Sequence, residues 1–152
     1  MKYYLLFFFL LSFHLSAFCQ ADNPKYDKAL ADSLGGDDHG MKGYILVILK
    51  SGTNTAMAKS VADSLFAGHI ANIVRLAGLR KLVVSGPIGK NDKAYRGIFI
   101  LNVKTVEEAR ILLEPDPAIK EKLLEVEMFK WYGSAALPEY LEFHEKIEKK
   151  KM

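Results

Sequence analysis

The stretch Lys42-Gly43-Tyr44-Ile45-Leu46-Val47-Ile48-Leu49-Lys50 decides the fold. Both alternate sets of side chains are apolar. Tyr44, Leu46 and Ile48 take one face of an extended chain, and Ile45, Val47 and Leu49 take the other. A strand apolar on both faces needs cover on both. The stretch from Tyr95 to Val103 repeats the pattern through Ile98, Phe99, Ile100 and Leu101. A shorter strand starts at Leu82-Val83-Val84 and stops at Gly86-Pro87. A fourth runs from Leu123 to Trp131, with Leu124, Val126 and Met128 on one face.

Helical signals fill the gaps between strands. Ser51-Gly52-Thr53-Asn54 is a turn, and the spacing predicts a helix over 55–79. Its core stripe is Val61, Leu65, Ile73 and Leu76, with Phe66, Ile70 and Ala77 beside it. Thr105-Val106-Glu107-Glu108 reads as a capping box that opens a helix to about Leu113. Asp116-Pro117 starts a further turn through Lys120. The order β-α-β-β-α-β is that of a ferredoxin-like α+β sheet. Outside it, Asn23-Pro24 is expected to start a short amphipathic helix carrying Tyr26, Leu30 and Leu34. Asp37-Asp38-His39-Gly40 connects it to the first strand. Pro138 is expected to begin a C-terminal helix ending in Lys149-Lys150-Lys151.

The chain ends bound the class of protein. Lys2, the apolar run from Tyr3 to Phe18 and the small residues before Gln20 follow the order of a secretory signal. Cleavage is expected after Cys19, with an uncleaved anchor and a lipoprotein modified at Cys19 as the alternatives. This reading divides the chain into a signal at 1–19, a helix and connector at 20–41, a domain at 42–133 and a helical extension at 134–152. It makes the protein exported, periplasmic or secreted, with no stable membrane insertion after cleavage. The 152 residues suit one globular domain, and a single Cys excludes a disulfide scaffold. Cleavage would leave 20 basic and 18 acidic residues, and a charge of +2 is too balanced for an electrostatic nucleic-acid footprint.

Two helices cover only one face of a four-stranded sheet. The other apolar face therefore needs a partner, most simply an identical sheet, which predicts a homodimer with the sheets face to face. The leading and trailing helices of the same chain are the alternative cover.

Few residues point to chemistry. His69 lies four residues after Leu65 and four before Ile73, on the sheet-facing stripe, where an imidazole is costly unless hydrogen-bonded. It is either a core His bonded to a carbonyl or an acid–base group suited to neutral pH. Asp116 before Pro117 fits a helix N-cap. A capping Asp can also orient a His, as in catalytic triads. Arg96 could fork onto a substrate carboxylate or be a solvated charge. Trp131 and Tyr132 could line a cleft or pack at a dimer contact. No zinc spacing, P-loop, GxGxxG or GxSxG motif is present, so neither a metal nor a cofactor is expected.

Taken together, Tyr44 to Lys50 (YILVILK), His69, LVVSGP (Leu82 to Pro87) and YRGIFILNV (Tyr95 to Val103) resemble the YCII-related domain family. Glu107 to Ala109, DPAIK (Asp116 to Lys120) and WYG (Trp131 to Gly133) extend the match over Lys42 to Gly133. The flanks LGGDDHGMKGY (Leu34 to Tyr44) and WYGSAALPEYL (Trp131 to Leu141) are similar to those of extended, secreted members. The resemblance implies a dimeric α+β barrel and a His-Asp active-site dyad, carried here by His69 and Asp116. Two departures stand out. Arg80 replaces a Gly that usually ends the first helix of the domain. Ser85 replaces the Ala of an Ala-Gly-Pro, which adds a hydroxyl near the implied cleft. The reading favoured is a cofactor-free lyase or isomerase that moves a proton on a small molecule. The alternatives are a non-catalytic module that binds a small ligand or a protein, and a structural dimer.

Overall fold

The computed structural model describes residues 23–150. The signal-like segment, with Cys19, lies outside them. Four strands form one antiparallel sheet: β1 (Met41–Ser51), β2 (Leu82–Pro87), β3 (Tyr95–Leu101) and β4 (Leu124–Ser134), in the order β2-β3-β1-β4. The connections carry α2 (Lys59–Gly78), α3 (Val106–Leu113) and α4 (Pro117–Lys120). The chain is therefore α+β and ferredoxin-like, with β1 and β3 central.

Register assigns the faces. Ile45, Val47 and Leu49 of β1 sit opposite Leu101, Phe99 and Gly97 of β3. Across β4 the same residues face Lys130, Met128 and Val126. This face packs on Ile73 and Leu76 of α2 and on Ala109 and Leu113 of α3, forming the main core. Burying such aliphatic side chains contributes roughly 1.5–3 kcal/mol each.

The second face carries Tyr44, Leu46 and Ile48 with Ile98, Ile100, Phe129 and Trp131. The chain covers one end of it. A 3₁₀ helix (Leu137–Tyr140), followed by α5 (Leu141–Ile147), places Leu137 on the cluster of Tyr44, Val83 and Ile100, against which Trp131 also packs. The Tyr140 hydroxyl donates to the Val83 carbonyl. Tyr44 donates to the Ser134 carbonyl at 2.8 Å. At the other end Leu46, Ile48 and Ile98 stay half-buried and Phe129 is 50% exposed. The trailing segment thus supplies part of the cover and leaves the Phe129 end open.

Several boundaries differ from expectation, each for a local reason. The first helix, α1, spans Lys28–Leu34, because Asp27 rather than Asn23 caps it and accepts from Leu30 N at 2.9 Å. Asn23-Pro24 forms a turn closed by Tyr26 N on the Asn23 carbonyl. No residue of α1 is buried, so Tyr26 and Leu30 do not form a core stripe. The long helix begins at Lys59, and Val61 in its first turn is 49% exposed rather than part of the core stripe. β3 ends at Leu101, where Asn102 N turns to the Lys81 carbonyl. Pro138 is the second residue of the 3₁₀ helix rather than the start of an α-helix, which follows from Leu141.

The end of α2 accommodates Arg80 in the left-handed region, with φ 55°. Lys81 N bonds the Leu76 carbonyl and Arg80 N bonds the Ala77 carbonyl. That paired closure normally uses Gly at the Arg80 position.

Candidate active site

The site is built on α2 and α4. His69, Asn72, Ile73 and Leu76 are the buried residues of α2, one face of the helix at i, i+3, i+4 and i+7. Asp116 caps the single turn of α4, and its Oδ1 accepts from Ala118 N at 3.0 Å and Ile119 N at 3.4 Å. Gly68 lets the two elements meet. A Cβ on Gly68 would lie 2.4 Å from Pro117 Cγ, so any larger residue forces α4 away.

Across that contact, His69 Nδ1 lies 2.7 Å from Asp116 Oδ2. Asp116 is fully buried and His69 is 6% exposed. Asn72 Nδ2 donates to the same Oδ2 at 3.2 Å. Burial by itself raises the pKa of a carboxyl. Here the hydrogen bond and charge of His69, the Asn72 amide and the Ile119 N–H outweigh it, and the Asp116 carboxyl stays below its ordinary value. An ionised carboxylate only accepts, so Nδ1 carries the proton of that bond. The opposite ring nitrogen, Nε2, bonds to nothing among the described residues. No fully buried side-chain nitrogen or oxygen among them lacks a partner, so Nε2 reaches the surface.

The imidazole is held between two rings. Phe99 stacks on it with centroids 5.7 Å apart, and Phe66 meets it edge-on at 6.3 Å. Ser85 pairs opposite Phe99 on β2 and is exposed, so it shares the face of the sheet that carries the dyad.

The remaining candidates lie elsewhere. Trp131 pairs with Tyr44 on the opposite face, rings 5.6 Å apart, and its indole lies over Gly133. The Tyr132 hydroxyl donates to the Asp37 carboxylate, which pulls Asp37 down and Tyr132 up. That contact ties the connector after α1 to β4. Arg96 is exposed at a hollow of about 360 Å³ with Ser51, Ile88, Lys90, Asn91, Ala94 and Tyr95. Neither His69 nor Asp116 lines it. The structure therefore joins His69 to Asp116, leaves Ser85 on their face and puts Trp131 on the opposite one. Tyr132 pairs with Gly43 on the dyad's side of the sheet but is bonded to Asp37, and Arg96 lines a hollow that neither His69 nor Asp116 reaches.

Asn72 was not among the residues singled out from the sequence. It is a polar residue three positions after His69, and helical spacing alone places it on the same face. No group of His, Cys, Asp and Glu among the described residues is arranged to hold a metal. No helix among them is long and apolar enough to cross a membrane.

No protein-family model matches the chain, and no curated protein matches it. A solved structure, the 5-chloro-2-hydroxyhydroquinone dehydrochlorinase of Burkholderia phenoliruptrix in complex with 2,5-dihydroxybenzoquinone, is similar at 23% identity with a TM-score of 0.42. The similarity covers 57% of this chain and 92% of that one.

Proposed function

We propose that the chain is an exported YCII-like enzyme that moves a proton on a small molecule, as an isomerase or lyase, with no cofactor. One observation carries this reading. His69 has one ring nitrogen fixed by a buried carboxylate and the other unbonded at the surface. A purely structural His in a core uses its polar atoms internally. This one keeps a basic nitrogen free, in the tautomer that a general base needs.

In this scheme Nε2 takes a proton from a carbon next to a carbonyl, and the electron pair moves into the enolate. Asp116 stabilises the imidazolium that forms. The proton then returns at a different atom, which completes an isomerisation. Alternatively, a leaving group departs from the β-carbon as the enolate collapses, which completes an elimination. Phe66 and Phe99 keep water from the sides of the imidazole. Ser85, exposed on the same face of the sheet, would bond a substrate oxygen. The signal-like N-terminus supports export, and the open Phe129 end of the second sheet face supports a homodimer.

The test is proton exchange. The full chain is incubated in D₂O with a panel of enolisable ketones and β-substituted carbonyl compounds, and deuterium incorporation is read by mass spectrometry. The expected result is at least one compound whose exchange or elimination falls by on the order of 10²–10⁴-fold in His69→Ala. Equal rates in the variant for every reactive compound would overturn the reading.

A further inference from the structure

The dyad has a second tier of support on α2. Asn72 donates its amide to Asp116 Oδ2 and turns its own Oδ1 toward Arg75. Arg75 meets that oxygen twice, from Nε at 3.1 Å and from Nη2 at 2.7 Å. Arg75 Nη2 also donates to the Leu112 carbonyl in the last turn of α3, at 3.1 Å. His69, Asn72 and Arg75 thus recur every three residues along one line of the helix, and their polar atoms run in one chain from α3 to the imidazole.

The order of donors and acceptors fixes a direction. The guanidinium only donates, so it accepts no orientation of Asn72 except Oδ1 toward itself. The Asn72 Nδ2 then has to point at Asp116. A donor on Oδ2 beside the imidazole holds the carboxylate in the plane that meets Nδ1–H. The proposed dyad needs that arrangement, because it leaves Nε2 unprotonated and outward.

We propose that Arg75, acting through Asn72, is a positioning residue that holds the Asp116 carboxylate where it fixes the Nδ1-protonated tautomer of His69. The inference rests on the dyad reading and goes one step further, to what holds it. Nothing in it requires Arg75 to touch a substrate.

The experiment is ¹⁵N NMR of the labelled full chain, read at the His69 ring nitrogens at a pH where the imidazole signals are those of the neutral ring. Wild type is expected to show the Nδ1-protonated form alone. In Arg75→Met a second, Nε2-protonated form is expected, and the Asn72 side-chain amide should exchange about tenfold faster with solvent. Arg75→Lys, which still offers a donor to Oδ1, should restore the single form. Asn72→Gln misplaces the amide without removing it, and should also produce the second form if Arg75→Met does not fold. An unchanged tautomer in both Arg75→Met and Asn72→Gln overturns the proposal. Asp116→Asn separates this from failure of the dyad itself, since an amide facing Nδ1 enforces the wrong tautomer. If Asp116→Asn leaves the ring unchanged, the dyad reading falls and Arg75 falls with it.

Discussion

His69 Nδ1 and Asp116 Oδ2 meet at 2.7 Å although 47 positions separate them in the chain. The bond joins the long helix of the first β-α-β half to the single turn that precedes the last strand. It is buried, so it contributes to stability. A hydrogen bond to a charged group is worth about 1.5–3 kcal/mol, and removing one partner of a buried pair costs more.

The first prediction follows from the charge of Asp116. Its pKa is lowered in the fold, so the unfolded chain binds the proton more tightly than the folded one. The stabilisation is fully present above the ordinary Asp value of about 3.9 and is lost as pH falls through the lower folded value. Asp116→Asn lacks this contribution. Wild type should therefore be the more stable at pH 6, and the gap should narrow toward pH 3. Thermal unfolding of both proteins across that range measures it. A gap independent of pH would show that folding does not lower the Asp116 pKa.

The second prediction concerns Gly68. The 2.4 Å approach of a Cβ to Pro117 Cγ forces a shift of α4 against α2. Ala is worth up to about 1 kcal/mol over Gly within a helix, but overpacking typically costs about 1–3 kcal/mol. Gly68→Ala should therefore destabilise the protein and lengthen the His69–Asp116 bond. Pro117→Ala removes the obstructing ring. The double variant should recover most of the loss, a coupling that a double-mutant cycle in urea measures.

The third prediction has the opposite sign. Arg80 sits at φ 55°, which costs a residue with a Cβ roughly 1–2 kcal/mol. Its ion pair with Glu139, at 3.8 Å, is exposed and adds little. Arg80→Gly should raise stability by about 0.5–1 kcal/mol, seen as a higher urea midpoint with an unchanged slope. A lower midpoint would mean that the Glu139 contact matters more than the backbone.

Much of this fold is legible in the residues. The double-faced apolar runs of β1 and β3 give the central strands. Thr105 accepts from Glu108 N, and Glu108 Oε2 accepts from Lys104 N, close to the expected box. Asp116 caps α4 as its place before Pro117 suggests. The site is less legible, because β1 is apolar on both sides. Nothing in its alternation says which face the helices take, so Arg96 and Trp131 could not be separated from His69 beforehand. The Asn72–Arg75 tier escaped for a related reason. A search for apolar periodicity passes over a polar residue at a core position, although that is where a buried network must begin.

The last prediction concerns the open end of the second sheet face. Leu46, Ile48 and Ile98 are half-buried there, and Phe129 is 50% exposed beside them. The Lys50–Glu127 ion pair, at 2.8 Å, borders them. The 3₁₀ helix covers only the Tyr44 end, so these apolar side chains meet water in a single chain. A second copy placed face to face would cover them, with Phe129 central. Large aromatic anchors of that kind commonly cost 2 kcal/mol or more when removed from an interface. Sedimentation velocity at micromolar concentration should show a dimer, and Phe129→Asp should sediment as a folded monomer. The substitution leaves the helix-side core untouched, so circular dichroism should not change. A wild-type monomer would mean that α5 and the 3₁₀ helix provide all the cover this face receives.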